Sequence, residues 1–107
     1  MEEKLKEIIK HYGPIEQIKQ LEEEVKEFIE TITDYERDSK SPYSTVGIMQ
    51  KDKDHMEEEC SDVMVMVAEY VLYYGLDKDK IKEIMQYKVD RQLRRIENEQ
   101  NNKNNMW

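Results

Sequence analysis

Two pairs of acidic residues with the same spacing are the strongest chemical signal in this sequence. Glu24 and Glu27 form one pair, and Glu59 and Asp62 form the other. Residues three apart share a face of an α-helix, so each pair presents two carboxylates together. Four carboxylates without nitrogen or sulfur make an all-oxygen site, which suits Mg²⁺ or Mn²⁺ better than zinc or copper. We therefore predict that the two pairs meet and hold a divalent metal ion.

The simplest alternative is that these acids are solvated surface residues. Asp and Glu account for 25 of the 107 residues, and the formal net charge is −8. The second pair is harder to explain in this way, because it lies in the longest nearly apolar stretch of the chain, His55 to Gly75. Buried acids must be paired or bind metal.

Hydrophobic periodicity predicts an all-α fold, a four-helix bundle with helices over residues 2–12, 14–35, 54–74 and 78–97. Gly13-Pro14 separates the first two helices, and Gly75 with Asp77 separates the last two. Residues 36–54 show no sustained period and are predicted to form a long loop. Residues 1–97 thus form one domain, and the Asn-rich residues 98–107 are expected to be a disordered tail.

The acid pairs have matching positions on their helices. At about 100° per residue, each pair projects to one side of its helix's apolar stripe. Gln17 and Gln20 fall on the flank of Glu24 and Glu27, which makes them candidate substrate contacts. A second face of the third helix is also apolar, which predicts that this helix is central or contacts another subunit. That face contains Val65, Ala68 and Leu72.

The fourth helix becomes cationic halfway along. Lys88 continues the apolar stripe that begins with Ile81 and Ile84, and Arg91 lies at its edge. If these cations point inward near the acids, they could hold a metal-bound polyphosphate. Alternatively, the helix outgrows the bundle and its end is solvated.

Composition narrows the class of protein. The negative charge disfavours a nucleic-acid backbone as partner. Neither a secretory signal nor an apolar run of membrane-spanning length is recognisable, so a cytoplasmic protein without membrane contact is expected. A small helical protein this charged often completes its core by oligomerising. A di-iron site is disfavoured, because neither His11 nor His55 follows a Glu by three residues.

The pattern Glu23-Glu24-x-x-Glu27 followed by Glu59-x-x-Asp62 resembles the MazG-like nucleotide pyrophosphohydrolases of the all-α NTP pyrophosphatase superfamily. The run from His55 to Leu76, followed by KVDRQLRRI, looks like the compact MazG-like proteins of phages and low-GC bacteria. The resemblance covers residues 17–96 apart from the loop.

This resemblance implies a Mg²⁺-dependent cut of an NTP or dNTP into the monophosphate and pyrophosphate. It makes Glu24, Glu27, Glu59 and Asp62 the metal ligands, and Glu23 a residue that orients or activates water. Lys88 and Arg91 match a lysine and an arginine of the last helix, whereas Gln92 stands where some members have a further arginine. The resemblance also implies homodimers or homotetramers. The competing hypothesis is a non-catalytic helical oligomerisation module with a solvated acidic face.

Overall fold

The computed structural model describes residues 1–105, and over that range it consists of four α-helices without a strand. This confirms the predicted all-α class with four helices. The chain divides into two compact units, of which the first, Met1–Gly75, holds the first three helices and the second begins at Leu76. No helix within residues 1–105 has the length and apolarity needed to cross a bilayer. The helices are α1 Glu2–Tyr12, α2 Gln17–Ser39, α3 Val46–Tyr73 and α4 Lys78–Asn105.

Helix α1 has the predicted bounds. Its apolar stripe buries Leu5 and Ile9 in the first unit, where α1 packs against α3. Gly13 ends the helix with φ 91°, a conformation that only glycine adopts without strain, and its N–H donates to the Ile9 carbonyl at 2.8 Å. The following turn leads directly into α2.

The connection between α2 and α3 is much shorter than the predicted loop over 36–54. Helix α2 continues through Ser39, α3 begins at Val46, and only residues 40–45 lie between them. The Thr45 hydroxyl accepts a hydrogen bond from the Ile48 N–H at 3.2 Å, which caps the start of α3. Helix α3 therefore begins eight residues before its predicted start at 54, and Gly47 lies within its first turn.

Helices α2 and α3 pack against each other in antiparallel orientation. Side-chain contacts between the two helices show this, because residue numbers rise along α2 as they fall along α3. The contacting pairs are Gln17 with Glu69, Glu27 with Glu59, and Asp38 with Asp52.

The face of α2 that packs on α3 contains polar residues beside the half-buried Phe28, and the apolar stripe of α2 is only partly covered. This stripe consists of Leu21, Val25, Phe28, Ile29 and Ile32. The residue of α2 that is buried is Thr31, with 2% of its surface exposed. Two residues of the apolar stripe, Ile29 and Ile32, are 55% and 41% exposed. Within the first unit, therefore, Glu24 and Glu27 lie at the interface with α3, and part of the apolar stripe of α2 remains exposed.

Helix α4 also extends beyond its predicted end at Glu97. It begins after Asp77, whose carboxylate accepts hydrogen bonds from the N–H groups of Asp79 and Lys80 at 3.0 and 3.1 Å. The segment predicted to be a disordered tail is helical through Asn105, and residues 106–107, including Trp107, lie outside the described residues. Asn costs less than about 0.7 kcal/mol per helical residue, and no Gly or Pro interrupts the segment.

Candidate metal centre

Three of the four predicted metal ligands meet between α2 and α3. One carboxylate oxygen from each of Glu24, Glu27 and Glu59 lies within 4.8 Å of the other two. The i, i+3 spacing places the two α2 residues on one face, and the antiparallel packing brings Glu59 opposite them. Glu24 and Glu59 are half-buried, whereas Glu27 is exposed. We call these three residues the carboxylate cluster.

Two oxygens of the carboxylate cluster are shielded from solvent and lack a hydrogen-bond donor. They are Glu24 Oε2 and Glu59 Oε2, and within the described part of the chain no donor reaches either atom. Buried carboxylate oxygens usually have a partner, and leaving one without a partner is costly. A hard divalent cation would satisfy both atoms, so the donor set fits Mg²⁺ or Mn²⁺.

The other oxygen of each of these two carboxylates lies next to a nitrogen of a neighbouring side chain. Gln20 Nε2 donates a hydrogen bond to Glu24 Oε1 at 2.7 Å. His55 Nε2 lies 3.6 Å from Glu59 Oε1, which is an ion-pair distance rather than a hydrogen bond. Each of these neighbours precedes its glutamate by four residues on the same helix.

Crowding of negative charge raises the pKa of Glu27. The largest cause is the direct contact between its carboxyl and that of Glu59, followed by the charge of Glu59 and by a loss of hydration. The charges of Glu23 and Glu30 act in the same direction. A bound cation would oppose all of these effects, because it favours the ionised form.

Asp62 and Glu23 are not part of the carboxylate cluster. Asp62 is exposed and follows Glu59 by one helical turn on α3. Glu23 is exposed beside Glu24 on α2, and its charge reaches Glu27.

Gln17, a candidate substrate contact, forms a hydrogen bond with a buried acid. Its amide donates to Glu69 Oε1 at 3.2 Å, and Glu69 is only 2% exposed. Burial raises the pKa of Glu69, and the hydrogen bond from Gln17 partly opposes this. Next to it, the Tyr70 hydroxyl donates to the Pro14 carbonyl at 2.7 Å, which joins the end of α3 to the turn before α2.

Sequence reasoning assigned no site role to Glu69 or Asp52. Asp52 contacts Asp38 across α2 and α3, and this contact is the main reason that the pKa of Asp52 is raised. Burial and the charges of Asp38 and Asp34 add to the increase, and Arg37 opposes it. The available signals were the seven-residue spacing between Asp52 and Glu59, which puts both on one helix face, and an acid inside the most apolar stretch.

The predicted phosphate-binding cations lie on α4, in the second unit. Lys88 is exposed there, and Arg91 is half-buried. The Arg91 guanidinium carbon is 5.8 Å from the centroid of the Tyr87 ring, one turn earlier, within range of a cation–π contact. Arg91 Nε is shielded from solvent and donates to no acceptor among the described residues.

No protein family, no curated protein and no solved structure matches the chain. The case for a function therefore depends on the carboxylate cluster, its two shielded oxygens and the charged residues around it.

Proposed function

We propose that the chain is a Mg²⁺-dependent nucleoside triphosphate pyrophosphohydrolase that converts an NTP or dNTP into the monophosphate and pyrophosphate. The observation that most supports this is the meeting of Glu24, Glu27 and Glu59, two of which have a shielded oxygen that no hydrogen-bond donor within residues 1–105 reaches. Mg²⁺ held by carboxylates completes its shell with water and substrate phosphates, and Mn²⁺ fits the same donors. The resemblance of the acid motifs to MazG-like enzymes supplies the reaction.

We assign the roles of the acids from the resemblance and, for three of them, from their proximity. Glu24, Glu27 and Glu59 hold the ion, and Asp62 is the fourth ligand, one turn further along α3. When bound, Mg²⁺ would polarise a phosphoryl oxygen and lower the pKa of the attacking water. Exposed Glu23 accepts the proton that this water loses as its oxygen bonds to phosphorus and the P–O bond to pyrophosphate breaks.

Phosphate recognition is assigned to α4. The chain has a net charge of −8, so a triphosphate needs dedicated cations to approach the acids. Lys88 and Arg91 supply two charges on successive turns, and contacts with the departing pyrophosphate stabilise the charge that develops there. Gln17 and Gln20 are weaker candidates, because they already donate to Glu69 and Glu24.

The direct test is a screen of standard and modified NTPs and dNTPs with detection of pyrophosphate. At least one substrate should release pyrophosphate and monophosphate in millimolar Mg²⁺ and none in excess EDTA. Glu59→Gln should abolish the reaction while helix content is unchanged. If no triphosphate yields pyrophosphate with either Mg²⁺ or Mn²⁺, the proposed activity is wrong.

The proposed enzyme works as a cytoplasmic homodimer or homotetramer. Among the described residues, the buried apolar side chains are only Leu5, Ile9 and Met66, which is a small core. Exposed apolar residues along α2 and α3, such as Ile29 and Val67, would be covered by another copy. The same exposure favours the second candidate function, a non-catalytic oligomerisation module. Such a module would gain no stability from millimolar Mg²⁺, which distinguishes the two.

A further inference from the structure

The two shielded oxygens of the carboxylate cluster belong to side chains whose other oxygen has a polar neighbour one turn earlier. Glu24 Oε1 accepts a hydrogen bond from Gln20, while Glu24 Oε2 is shielded and has no donor among the residues that the structure describes. Glu59 Oε1 faces His55, while Glu59 Oε2 is likewise shielded and has no donor in the same part of the chain. Both helices therefore use the same arrangement, with a nitrogen at position i holding the outer oxygen of the glutamate at i+4.

This arrangement fixes the orientation of each carboxylate. A glutamate side chain has several rotatable bonds, and an exposed one samples many rotamers. A neighbour that holds one oxygen restricts the rotation of the carboxylate, and so restricts the position of its other oxygen. Outer residues of this kind orient the ligands of metal sites, and their loss commonly weakens metal binding by about 10- to 100-fold.

We infer that Gln20 and His55 are positioning residues for a divalent cation, holding Glu24 and Glu59 so that their shielded oxygens point into the carboxylate cluster. Gln20 then acts on the metal site rather than on the substrate. The inference builds on the metal site of the proposed function, but it does not require that the bound metal serves catalysis. The stronger of the two contacts is that of Gln20, because 2.7 Å is a short hydrogen bond and 3.6 Å is only an ion-pair distance.

The chain contains a matched control. Gln50 donates to Asp54 Oδ1 at 2.8 Å with the same i, i+4 spacing on α3, but Asp54 lies outside the carboxylate cluster. Gln50→Met and Gln20→Met remove the same kind of hydrogen bond from an exposed helix position. They should lower the melting temperature equally, so any difference in metal affinity reports on the cluster.

The test is Mn²⁺ binding to the full chain without nucleotide, measured by the EPR signal of free Mn²⁺ at one fixed pH. Gln20→Met should raise the Kd for Mn²⁺ by about 10- to 100-fold. His55→Leu should weaken binding less, and His55→Gln, which keeps a donor, should restore it. Gln50→Met should bind as the wild type does. Gln20→Ala serves as a second variant if Gln20→Met loses helix content by circular dichroism.

The outcomes separate this inference from the proposed activity. If Gln20→Met and His55→Leu bind Mn²⁺ as tightly as the wild type, the positioning role is wrong, whatever the enzyme does. If the wild type binds Mn²⁺ and Gln20→Met does not, the role stands even where no triphosphate is cleaved. Absence of Mn²⁺ binding by the wild type overturns the metal site and the positioning role together.

Discussion

The carboxyl group of Glu27 on α2 contacts that of Glu59 on α3, at the interface where the two antiparallel helices pack. Two ionised carboxylates in contact repel each other, and this contact raises the pKa of Glu27. The same interface has a second such contact, between Asp38 and Asp52. At neutral pH the packing of α2 on α3 therefore has an electrostatic cost. A cation bound at the carboxylate cluster would reduce the repulsion between Glu27 and Glu59.

Mg²⁺ or Mn²⁺ should raise the melting temperature of the wild-type protein. A metal ion that binds only the folded state raises the free energy of unfolding by about 2.7 kcal/mol when the free metal concentration exceeds the Kd about 100-fold. This corresponds to an increase in melting temperature on the order of 10 °C. Glu59→Gln removes one repelling charge, so the metal-free variant should melt no lower than the wild type. Its metal-induced shift, measured by differential scanning fluorimetry, should be absent.

Asp62→Asn tests whether the fourth acid completes the metal site. Asp62 lies outside the carboxylate cluster, so this variant should retain a reduced metal-induced shift, unlike Glu59→Gln. If the metal raised the melting temperature of Glu59→Gln and Asp62→Asn as much as that of the wild type, neither side chain would be a metal ligand, and the proposed metal site would be wrong.

The metal-free protein should lose stability as the pH rises above the ordinary pKa of a carboxyl group. The pKa of buried Glu69 is raised in the folded state, so protonation favours folding. Its contribution is present below the ordinary carboxyl pKa of about 4.3 and is lost as the pH rises through the raised value. Glu69→Gln stays neutral and can still pair with Gln17, so its melting temperature should depend less on pH.

Global charge must be separated from this local effect, because the whole chain becomes more negative over the same pH range. Glu58→Gln is the control, since Glu58 is exposed on the same helix and the substitution removes the same charge. Urea melts at several pH values measure both variants. Equal pH slopes for Glu69→Gln and Glu58→Gln would show that burial of Glu69 does not couple folding to pH.

Sequence periodicity predicted the four helices and the bounds of α1, because these depend on residue spacing along single helices. The two acid pairs were predicted to meet, and three of their four members do so, whereas Asp62 lies outside the carboxylate cluster. Periodicity did not predict which face of α2 packs on α3. An apolar stripe such as the one containing Ile29 must be covered, but the pattern does not say whether the cover is the same chain or another copy. The polar contacts of Glu69 and Asp52 with α2 depend on which face of α2 packs on α3, so periodicity did not predict them either.

The open stripe of α2 leads to a prediction about assembly. Light scattering at micromolar concentration should give at least a dimer. Ile29→Lys places a charge on a side chain that is 55% exposed in the single chain, so it should shift the mass towards the monomer without unfolding α2. Glu36→Gln, on an exposed position of the same helix with the same change of charge, should leave the mass unaltered. A wild type that remains monomeric throughout this range would contradict the assembly.

The final prediction concerns Lys88, a cation at a position that continues the apolar stripe of α4. Ile81 and Ile84 begin this stripe, and a purely structural helix would continue it with another apolar residue. Lys88 is exposed in the structure, so its charge is available to an anion such as a triphosphate. Lys88→Met keeps much of the side-chain stem, and folding should therefore survive.

Turnover of Lys88→Met should fall by roughly ten- to a thousand-fold, as expected when one electrostatic contact with a developing negative charge is lost. The loss should appear mainly in kcat, because the charge on departing pyrophosphate is greatest in the transition state. Metal-induced stabilisation should be unchanged, since Lys88 is not a metal ligand. Lys82→Met, an exposed lysine on a different face of α4, should turn over normally. Wild-type kcat in Lys88→Met, on whichever triphosphate the screen identifies, would show that Lys88 is a solvated surface residue.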